Sequence, residues 1–375
     1  MIKVFQVIEC GGQGGSGAQA AAICNALDPA RFDVGLVYGT RPPISPDDYR
    51  ALARGARQAF HVPQLCREIT PLRDFAALIR LVDLFRREKP DVVHAHCSKA
   101  GVLARVAALL AGVPRVFYSP RGYSFLMLDC SAATRAFYRL IERSVSWIGE
   151  IVAVSESEAA LAREVSWGKP VHVAPDPYWP ELPPPRPASG EHEIRVGACG
   201  RLTYARNPEA FVRLAQRLTD SRSGLSCVWI GDGELGPAVR EMVHDLNLSS
   251  RLELTGWLPP EAARRRLGEL DVLVHYSRWE GLPNVVIEAM AAGVPVVASD
   301  VPGNRDAVAD GETGLIAKDE AALLEKTLAL VDDRERRARM GKAARERVVE
   351  RFAPGKTMKI LEELYLGRAL SREDQ

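Results

Sequence analysis

Short runs of β-branched and other apolar residues alternate along the chain with longer stretches whose apolar positions recur every three or four residues. The first pattern is that of a strand and the second that of a helix packed by one face. IKVFQVI (residues 2–8) predicts a strand, followed by a glycine loop and a helix over roughly Gly17–Leu27. DVGLVYG (33–39) predicts a second strand. In RDFAALIRLVDLFRREKP the helical period puts Phe75, Leu78, Ile79, Val82 and Phe85 on one face, the expected core side. DVVHAH, RVFYSP and EIVAVS read as strands, with SKAGVLARVAALLAGVP a helix between the first two and another helix starting at Glu156. Strands and helices alternating in this way form a parallel sheet covered on both faces.

The alternation stops at residues 174–193, APDPYWPELPPPRPASGEHE, where prolines crowd out regular structure and suit an interdomain connector. It restarts with IRVGACG, PEAFVRLAQRLTD, LSCVWIGDG and LGPAVREMVHDLN, and runs on through DVLVHYS and PVVAS to a charged helical tail. A length of 375 residues also suits two cores better than one. The expected organisation is an N-terminal domain over 1–173, a linker over 174–193, a second domain over 194–352 and a C-terminal helix within 353–375. Two open α/β sheets joined by a hinge lead us to expect a ligand in a cleft between them.

Composition changes this picture little. With 47% hydrophobic and 26% charged residues the chain is of ordinary soluble globular type. Lys plus Arg number 49 against 48 Asp plus Glu, a balance that argues against a nucleic-acid partner. Residues 1–190 carry 22 basic and 18 acidic groups (net +4), the remainder 27 and 30 (net −3), which points to an acidic partner or membrane surface for the first half. Seven widely spaced cysteines without a C-x-x-C read as reduced thiols of a cytosolic protein. MIKVFQVIECGGQGG is a strand running into glycines, not a signal peptide. No stretch approaches the roughly 18 uncharged residues of a membrane span.

Candidate chemistry concentrates in EGLPNVVIE, Glu280–Glu288. Pro283 is expected as the first residue of a helix, with the amides of Asn284 and Val285 at its positive end, a setting that suits a diphosphate. Glu288, one turn deeper, is placed to accept hydrogen bonds from vicinal hydroxyls such as those of a ribose. Glu280 would face whatever hangs from the far phosphate. The same residues also fit a capped surface helix with two solvated acids. GACGRLTYARNPEAF puts Arg201 and Arg206 in a strand-to-helix loop, where open α/β sheets bind ligands and where arginine grips phosphate oxygens in pairs. A solvated arginine pair is the alternative. WIGDGELGP and LTGWLP are turns whose backbone is a candidate for reading a base edge.

ECGGQGGSGAQ fits the dinucleotide pattern only loosely, through Gly12, Gly14 and Gly17, and no acid closes the second strand, which disfavours a nicotinamide cofactor. In HAHCSKAG, His94 and His96 are expected on opposite faces of a strand and so not as a metal-chelating pair. His94 is assigned to the core and His96 to the ligand side. Lys99 either meets an anionic acceptor or is solvated.

With these pieces in place the chain resembles, over nearly its whole length, the bacterial glycosyltransferases of family 4. The resemblance rests on the N-terminal glycine loop, DVVHAHCSKAG, GRLTYARNPE, WIGDGE and above all EGLPNVVIEAMAAGVPVVASDVPG with DGETGLI. It implies an α/β protein of the GT-B fold, two Rossmann-like parallel-sheet domains facing each other across a cleft, the first binding acceptor and the second a nucleotide-sugar donor. It implies a C-terminal helix that packs back towards the N-terminal domain. The implied reaction is retaining hexosyl transfer from a nucleotide-diphosphate sugar to a saccharide or lipid-linked saccharide, in surface polysaccharide or glycoconjugate biosynthesis, with no cofactor and no metal.

Carried onto this sequence, Glu280, Arg201 and Arg206 are the implied catalytic residues. Gly281, Leu282, Asn284, Val285 and Glu288 would hold the donor, with Gly14 and Gly15 closing over it. Position 206 is usually lysine in this family, and arginine keeps the charge. Arg121, in YSPRGYSF, stands where many relatives have a histidine near the reacting centre, so His96, Lys99 and Arg121 are the acceptor or reacting-centre candidates. The NG that often follows the last strand of the first domain is replaced by VHVAPDPYWP. Within Gly122–Trp147, Arg135, Arg139 and Arg143 beside aromatics suggest either contact with an anionic membrane or a packed helix with a basic edge. The expected location is the cytoplasm, at the inner face of the cell membrane if the acceptor is lipid-linked. The rivals are a nucleotide-sugar epimerase of the same architecture and a catalytically silent nucleotide-sugar-binding protein.

Overall fold

The computed structural model describes residues 1–40, 44–184 and 193–370. They fall into two compact units, Met1–Trp179 together with Pro354–Gln375, and Pro180–Ala353. Part of the proline-rich stretch, 185–192, lies outside the described residues. Its first six residues belong to the first unit: Ala174, Asp176 and Tyr178 are buried, and the Ala174 amide donates to the Ala153 carbonyl at 2.8 Å.

In the first unit, β1 (Ile2–Gly11), β2 (Phe32–Thr40), β3 (Gln58–His61), β4 (Val92–His96), β5 (Arg115–Ser119), β6 (Glu150–Ala153) and β7 (Val171–Val173) form a parallel sheet of order β3-β2-β1-β4-β5-β6-β7. The direction of winding reverses between β1 and β4, where Gln6 pairs with His94 and Ile8 with His96. Alternate residues serve two cores. Val4, Ile8, Val92 and Phe117 pack with Ile23 and Leu361 of the helices Gly15–Ala26 and Pro354–Leu366. Phe5, Val7, Val93 and Tyr118 pack with Leu81 and Ala104 of the helices Pro71–Glu88 and Ser98–Ala111.

The helix Pro71–Glu88 is rotated from the face its period predicts: Phe85 is in the core and Leu78 and Val82 pack at its margin, but Phe75 and Ile79 face outward. Ala77, Leu81, Leu84 and Phe85 are buried, whereas Leu72, Phe75 and Ile79 are 86%, 63% and 52% exposed. Apolar residues occupy both sides of this helix. The helix packs against Ser98–Ala111, whose buried positions include Ala100, Gly101, Ala104, Ala107 and Ala108, small residues that allow two helix axes to approach closely.

In the second unit, β8 (Ile194–Cys199), β9 (Leu225–Ile230), β10 (Leu252–Leu254), β11 (Val272–His275), β12 (Val296–Ser299) and β13 (Gly314–Ala317) form a parallel sheet of order β10-β9-β8-β11-β12-β13. Here the reversal falls between β8 and β11. Val196, Trp229 and Val274 share a core with Phe211, Val239 and Leu323 from the helices Pro208–Ser221, Gly236–Asp245 and Glu320–Asp332. The reversal point of an open α/β sheet leaves a crevice outside the carboxyl ends of its strands. Each unit therefore has one natural place for a ligand.

Candidate active site

At the reversal point of the second unit, the chain leaves β8 through Gly200 and turns through a short 3-10 helix, Tyr204–Arg206, before Pro208 starts the next helix. The glycines of WIGDG support this loop from beneath. A Cβ on Gly231 would lie 2.3 Å from the Gly200 carbonyl oxygen, and one on Gly233 2.5 Å from that of Leu202. This close backbone approach explains the two glycines without a base to read.

The chain leaves β11 at His275, and its next turn brings Ser277 and Glu280 to that histidine ring and to Arg206. His275 Nε2 lies 2.8 Å from Glu280 Oε1, 3.0 Å from Arg206 Nη1 and 3.0 Å from Ser277 Oγ, while Arg206 forms an ion pair with Glu280. Burial, reinforced by Arg206, holds His275 well below the usual histidine range, so the ring is neutral. Burial also lowers Arg206 to about 10, which leaves it charged at neutral pH. The loop is fastened from behind. Ser299 Oγ donates to the Ser277 carbonyl at 2.6 Å, and Asn304 Nδ2 donates to the Ser299 carbonyl at 3.0 Å. A Cβ on Gly303 would lie 2.4 Å from the Gly281 carbonyl oxygen and 2.9 Å from Glu280 Cβ.

The helix Asn284–Ala291 begins one residue later than its proline suggested. Pro283 caps it, and the Pro283 carbonyl accepts from Val286 N at 3.0 Å. The amides of Asn284 and Val285 still form its first turn, after Gly281 and the buried Leu282. Burial raises the Glu288 carboxyl to about 7. Arg201 is more loosely placed, half-exposed with Nη2 3.5 Å from Glu234 Oε2. The structure thus joins Glu280 to Arg206 and adds His275, Ser277, Gly303 and Asn304, which the sequence reading passed over. His275 carried a signal: a histidine closing the apolar run DVLV.

In the first unit, Gly14 caps the helix Gly15–Ala26, Gly15 has φ of 55°, and a Cβ on either would meet nothing within 4 Å. The expectation for the histidines is corrected. Side chains two apart on a strand share a face, and the rings of His94 and His96 lie 4.3 Å apart, both buried. Burial drives both well below the usual range, His94 to about 3.

His96 does not reach outward: it is held between Gln6 Oε1 at 2.7 Å and Arg121 Nε at 3.2 Å. Arg121 is itself buried, in an ion pair with Asp176, on backbone with φ of 53°. Glu158 steadies that turn by accepting from the Gly122 amide at 2.6 Å and the Val154 amide at 2.8 Å, and burial raises its carboxyl to about 7. Lys99 is neither solvated nor beside His96 in this bonding. Its Nζ pairs with Asp74 at 2.5 Å and donates to the Glu68 carbonyl. Among the described residues no three His, Cys, Asp or Glu side chains converge as a metal site requires.

Two doubly wound parallel sheets, each with polar side chains gathered at its reversal point, are the architecture of the GT-B class. Residues 184–347 match the description "Glycosyl transferases group 1", and residues 14–179 match "Glycosyl transferase 4-like domain". The UDP-Gal:alpha-D-GlcNAc-diphosphoundecaprenol alpha-1,3-galactosyltransferase of Escherichia coli is 27% identical over 363 residues, covering 92% of each chain. The 2-deoxystreptamine N-acetyl-D-glucosaminyltransferase of Streptomyces fradiae is 30% identical over 349 residues, covering 82% of this chain and 80% of the other. Among solved structures, sucrose-phosphate synthase from Thermosynechococcus elongatus superposes with a TM-score of 0.80 at 20% identity, over 97% of this chain and 98% of that one. The chain belongs to the glycosyl transferases group 1 family. It is a hexosyltransferase-type enzyme of polysaccharide or glycoconjugate biosynthesis that draws on a nucleotide-sugar donor.

Proposed function

We propose that this enzyme transfers a hexose from a UDP-hexose to a lipid-linked saccharide, with retention of configuration and without a bound metal. The observation that carries the reading is the Arg206–Glu280–His275 cluster beside the first turn of the helix Asn284–Ala291. As the sugar–phosphate bond breaks, charge builds on the leaving diphosphate. Arg206, Arg201 and the amides of Asn284 and Val285 then supply in advance the positive field that a metal would otherwise provide. Gly281 and Leu282 shape that turn, Glu288 holds the ribose, and Gly14 and Gly15 offer open backbone to the donor. Glu280, oriented by His275, takes the sugar hydroxyls. Arg121, with His96 behind it, serves the reacting centre. The UDP base and the lipid-linked acceptor follow the activity named for the E. coli relative.

Two exposed apolar stripes in the first unit fit an acceptor of that kind. Leu72, Phe75 and Ile79 lie with Arg73 and Arg80 on one helix, and Phe137 and Leu140 with Arg139 and Arg143 on Ala132–Val145. Apolar stripes edged with arginine suit an anionic bilayer. No helix among the described residues is long and apolar enough to cross a membrane. In this reading the enzyme works in the cytoplasm, docked on the inner face of the cell membrane.

A thermal-stability scan against UDP, GDP and ADP, each with and without magnesium, tests the donor. At about 100 times its dissociation constant a ligand adds ~2.7 kcal/mol. Stabilisation by UDP irrespective of magnesium, followed by transfer from UDP-galactose to GlcNAc-diphosphoundecaprenol in anionic vesicles, is expected. Preference for another base, or a requirement for the metal, would overturn that part of the reading.

A further inference from the structure

The first unit contains a hydrogen-bond chain in which every donor and acceptor role is fixed. It starts at Arg121, whose Nε–H can only donate, so His96 Nδ1, 3.2 Å away, must accept. A neutral imidazole has one N–H, which then sits on Nε2, and its partner 2.7 Å away must be the oxygen of the Gln6 amide. The Gln6 Nε2 therefore points the other way and donates to Tyr365 Oη at 3.0 Å. Tyr365 spends its own proton on His94 Nδ1 at 2.5 Å. His94 Nε2–H then donates to Ser119 Oγ at 2.9 Å, and Ser119 donates to the Val152 carbonyl at 2.8 Å. Six bonds run in one direction from a loop arginine to a β6 carbonyl. Gln6, His94, His96, Ser119 and Tyr365 are all buried, so water is not at hand to replace a lost partner.

We propose that the Tyr365 hydroxyl is a positioning group for Arg121: by fixing which way the Gln6 amide points, it fixes the tautomer of His96 that can accept from the Arg121 guanidinium. Without that hydroxyl Gln6 loses the acceptor for its buried NH2 group, and only the 3.2 Å bond from Arg121 Nε–H to His96 still opposes turning the amide over. The reversed amide presents N–H to His96 Nε2, the ring proton moves to Nδ1, and Nδ1–H then faces Arg121 Nε–H, donor against donor. Arg121 keeps Asp176 but loses its second anchor, and its guanidinium can swing. Burial of the two rings, which keeps both neutral, closes the alternative in which a doubly protonated histidine decouples the chain. The consequence for catalysis rests on the reading of Arg121 as a reacting-centre residue; the tautomer lock does not.

The test uses the full-length protein and the variants Tyr365→Phe, Arg121→Ala and Leu361→Ala. Leu361 is buried on the same C-terminal helix and takes no part in the chain, so its truncation loosens helix packing without touching the hydrogen bonds. With 15N-labelled histidine, NMR reads the tautomers. We expect both His94 and His96 as Nε2–H in the native protein and His96 shifted towards Nδ1–H in Tyr365→Phe. With UDP-galactose and GlcNAc-diphosphoundecaprenol as substrates, Tyr365→Phe should lower kcat about 10-fold and leave the KM for UDP-galactose within about twofold, because a misplaced group near the reacting atoms costs rate before binding. His96 found as Nδ1–H in the native protein, or unchanged in Tyr365→Phe, overturns the lock. An equal kcat loss in Leu361→Ala overturns positioning in favour of simple helix docking. If Arg121→Ala is impaired and Tyr365→Phe is not, the positioning role fails and the reading of Arg121 survives. If Arg121→Ala turns over normally, that reading has failed, whatever the tautomers show.

Discussion

The reversal points of the two units hold charge in opposite ways. In the second unit, Arg206 and Glu280 come from the loops after β8 and β11, His275 is the last residue of β11, and Arg201 stands half in solvent. In the first unit, Arg121 and Asp176 are sealed from solvent and tied through His96 and Gln6 to a helix at the far end of the chain. Glu280 and His275 are as buried as the first unit's pair, but the Arg206 side chain is 28% exposed against 4% for Arg121, so it is the arginine that can exchange partners with a ligand. A buried one holds its geometry because any lost partner leaves a group unsatisfied. The first arrangement suits binding a charged, departing group, and the second suits keeping one orientation through many turnovers.

The largest expected effect breaks the second unit's chemistry while sparing its fold. Glu280→Gln should lower kcat by on the order of 100-fold or more, because the amide cannot match a carboxylate at a site where charge develops. Its melting temperature should stay close to that of the native protein, since Arg206 retains Ser277 and His275 as neighbours. Full activity in Glu280→Gln would remove that residue from the mechanism.

The converse acts on stability and not on rate. Asp176→Ala leaves Arg121 buried without its counter-ion and should cost about 3–5 kcal/mol of stability. Denaturant unfolding measures this, and a loss under 1 kcal/mol would mean that solvent reaches the pair.

The smallest effect sharpens the comparison through pH. If Glu288 holds the ribose as proposed, it needs its ionised form to accept from both hydroxyls, and burial raises its carboxyl to about 7. Affinity for UDP-galactose should therefore fall up to about 10-fold from about pH 8 to about pH 6. The stability of the protein without nucleotide moves the other way. The folded carboxyl keeps its proton to higher pH than the unfolded one, so the stability this group contributes is lost as pH rises from about 4.5 through about 7. Glu288→Gln should flatten the affinity profile, and an unchanged slope would assign the titration elsewhere.

What the sequence disclosed follows from how local each feature is. EGLPNVVIE is legible because a helix start, its capping proline and two carboxylates lie within nine residues, and the strand–loop–helix pattern around Arg201 and Arg206 is equally compact. Gln6, His94 and Tyr365 join only through the fold, with 271 positions between the histidine and the tyrosine that bond. No window of sequence contains them. The helix Pro71–Glu88 was only partly legible: with apolar residues on two sides, period alone does not fix the rotation, so Phe85 was placed correctly but Phe75 and Ile79 were not. The two histidines needed only the strand's own alternation, applied correctly. The strand Gln58–His61 escaped notice because its exposed and half-buried residues lack a strand's apolar signature.

The return of Pro354–Leu366 to the first unit also bears on how the protein is made. The first 179 residues leave the ribosome without the tyrosine that completes their polar interior. The unit Pro180–Ala353 is continuous and can fold as soon as it emerges. At about 5–20 residues per second, the earlier segment waits roughly 10–40 s for its last helix. Through that interval His94 and Gln6 have no phenol to bond, and the apolar surface of β1 and β2 that Leu361 and Leu364 later cover stays open. A nascent chain stalled before residue 354 should therefore be a better chaperone client than one stalled after residue 370, although it is shorter.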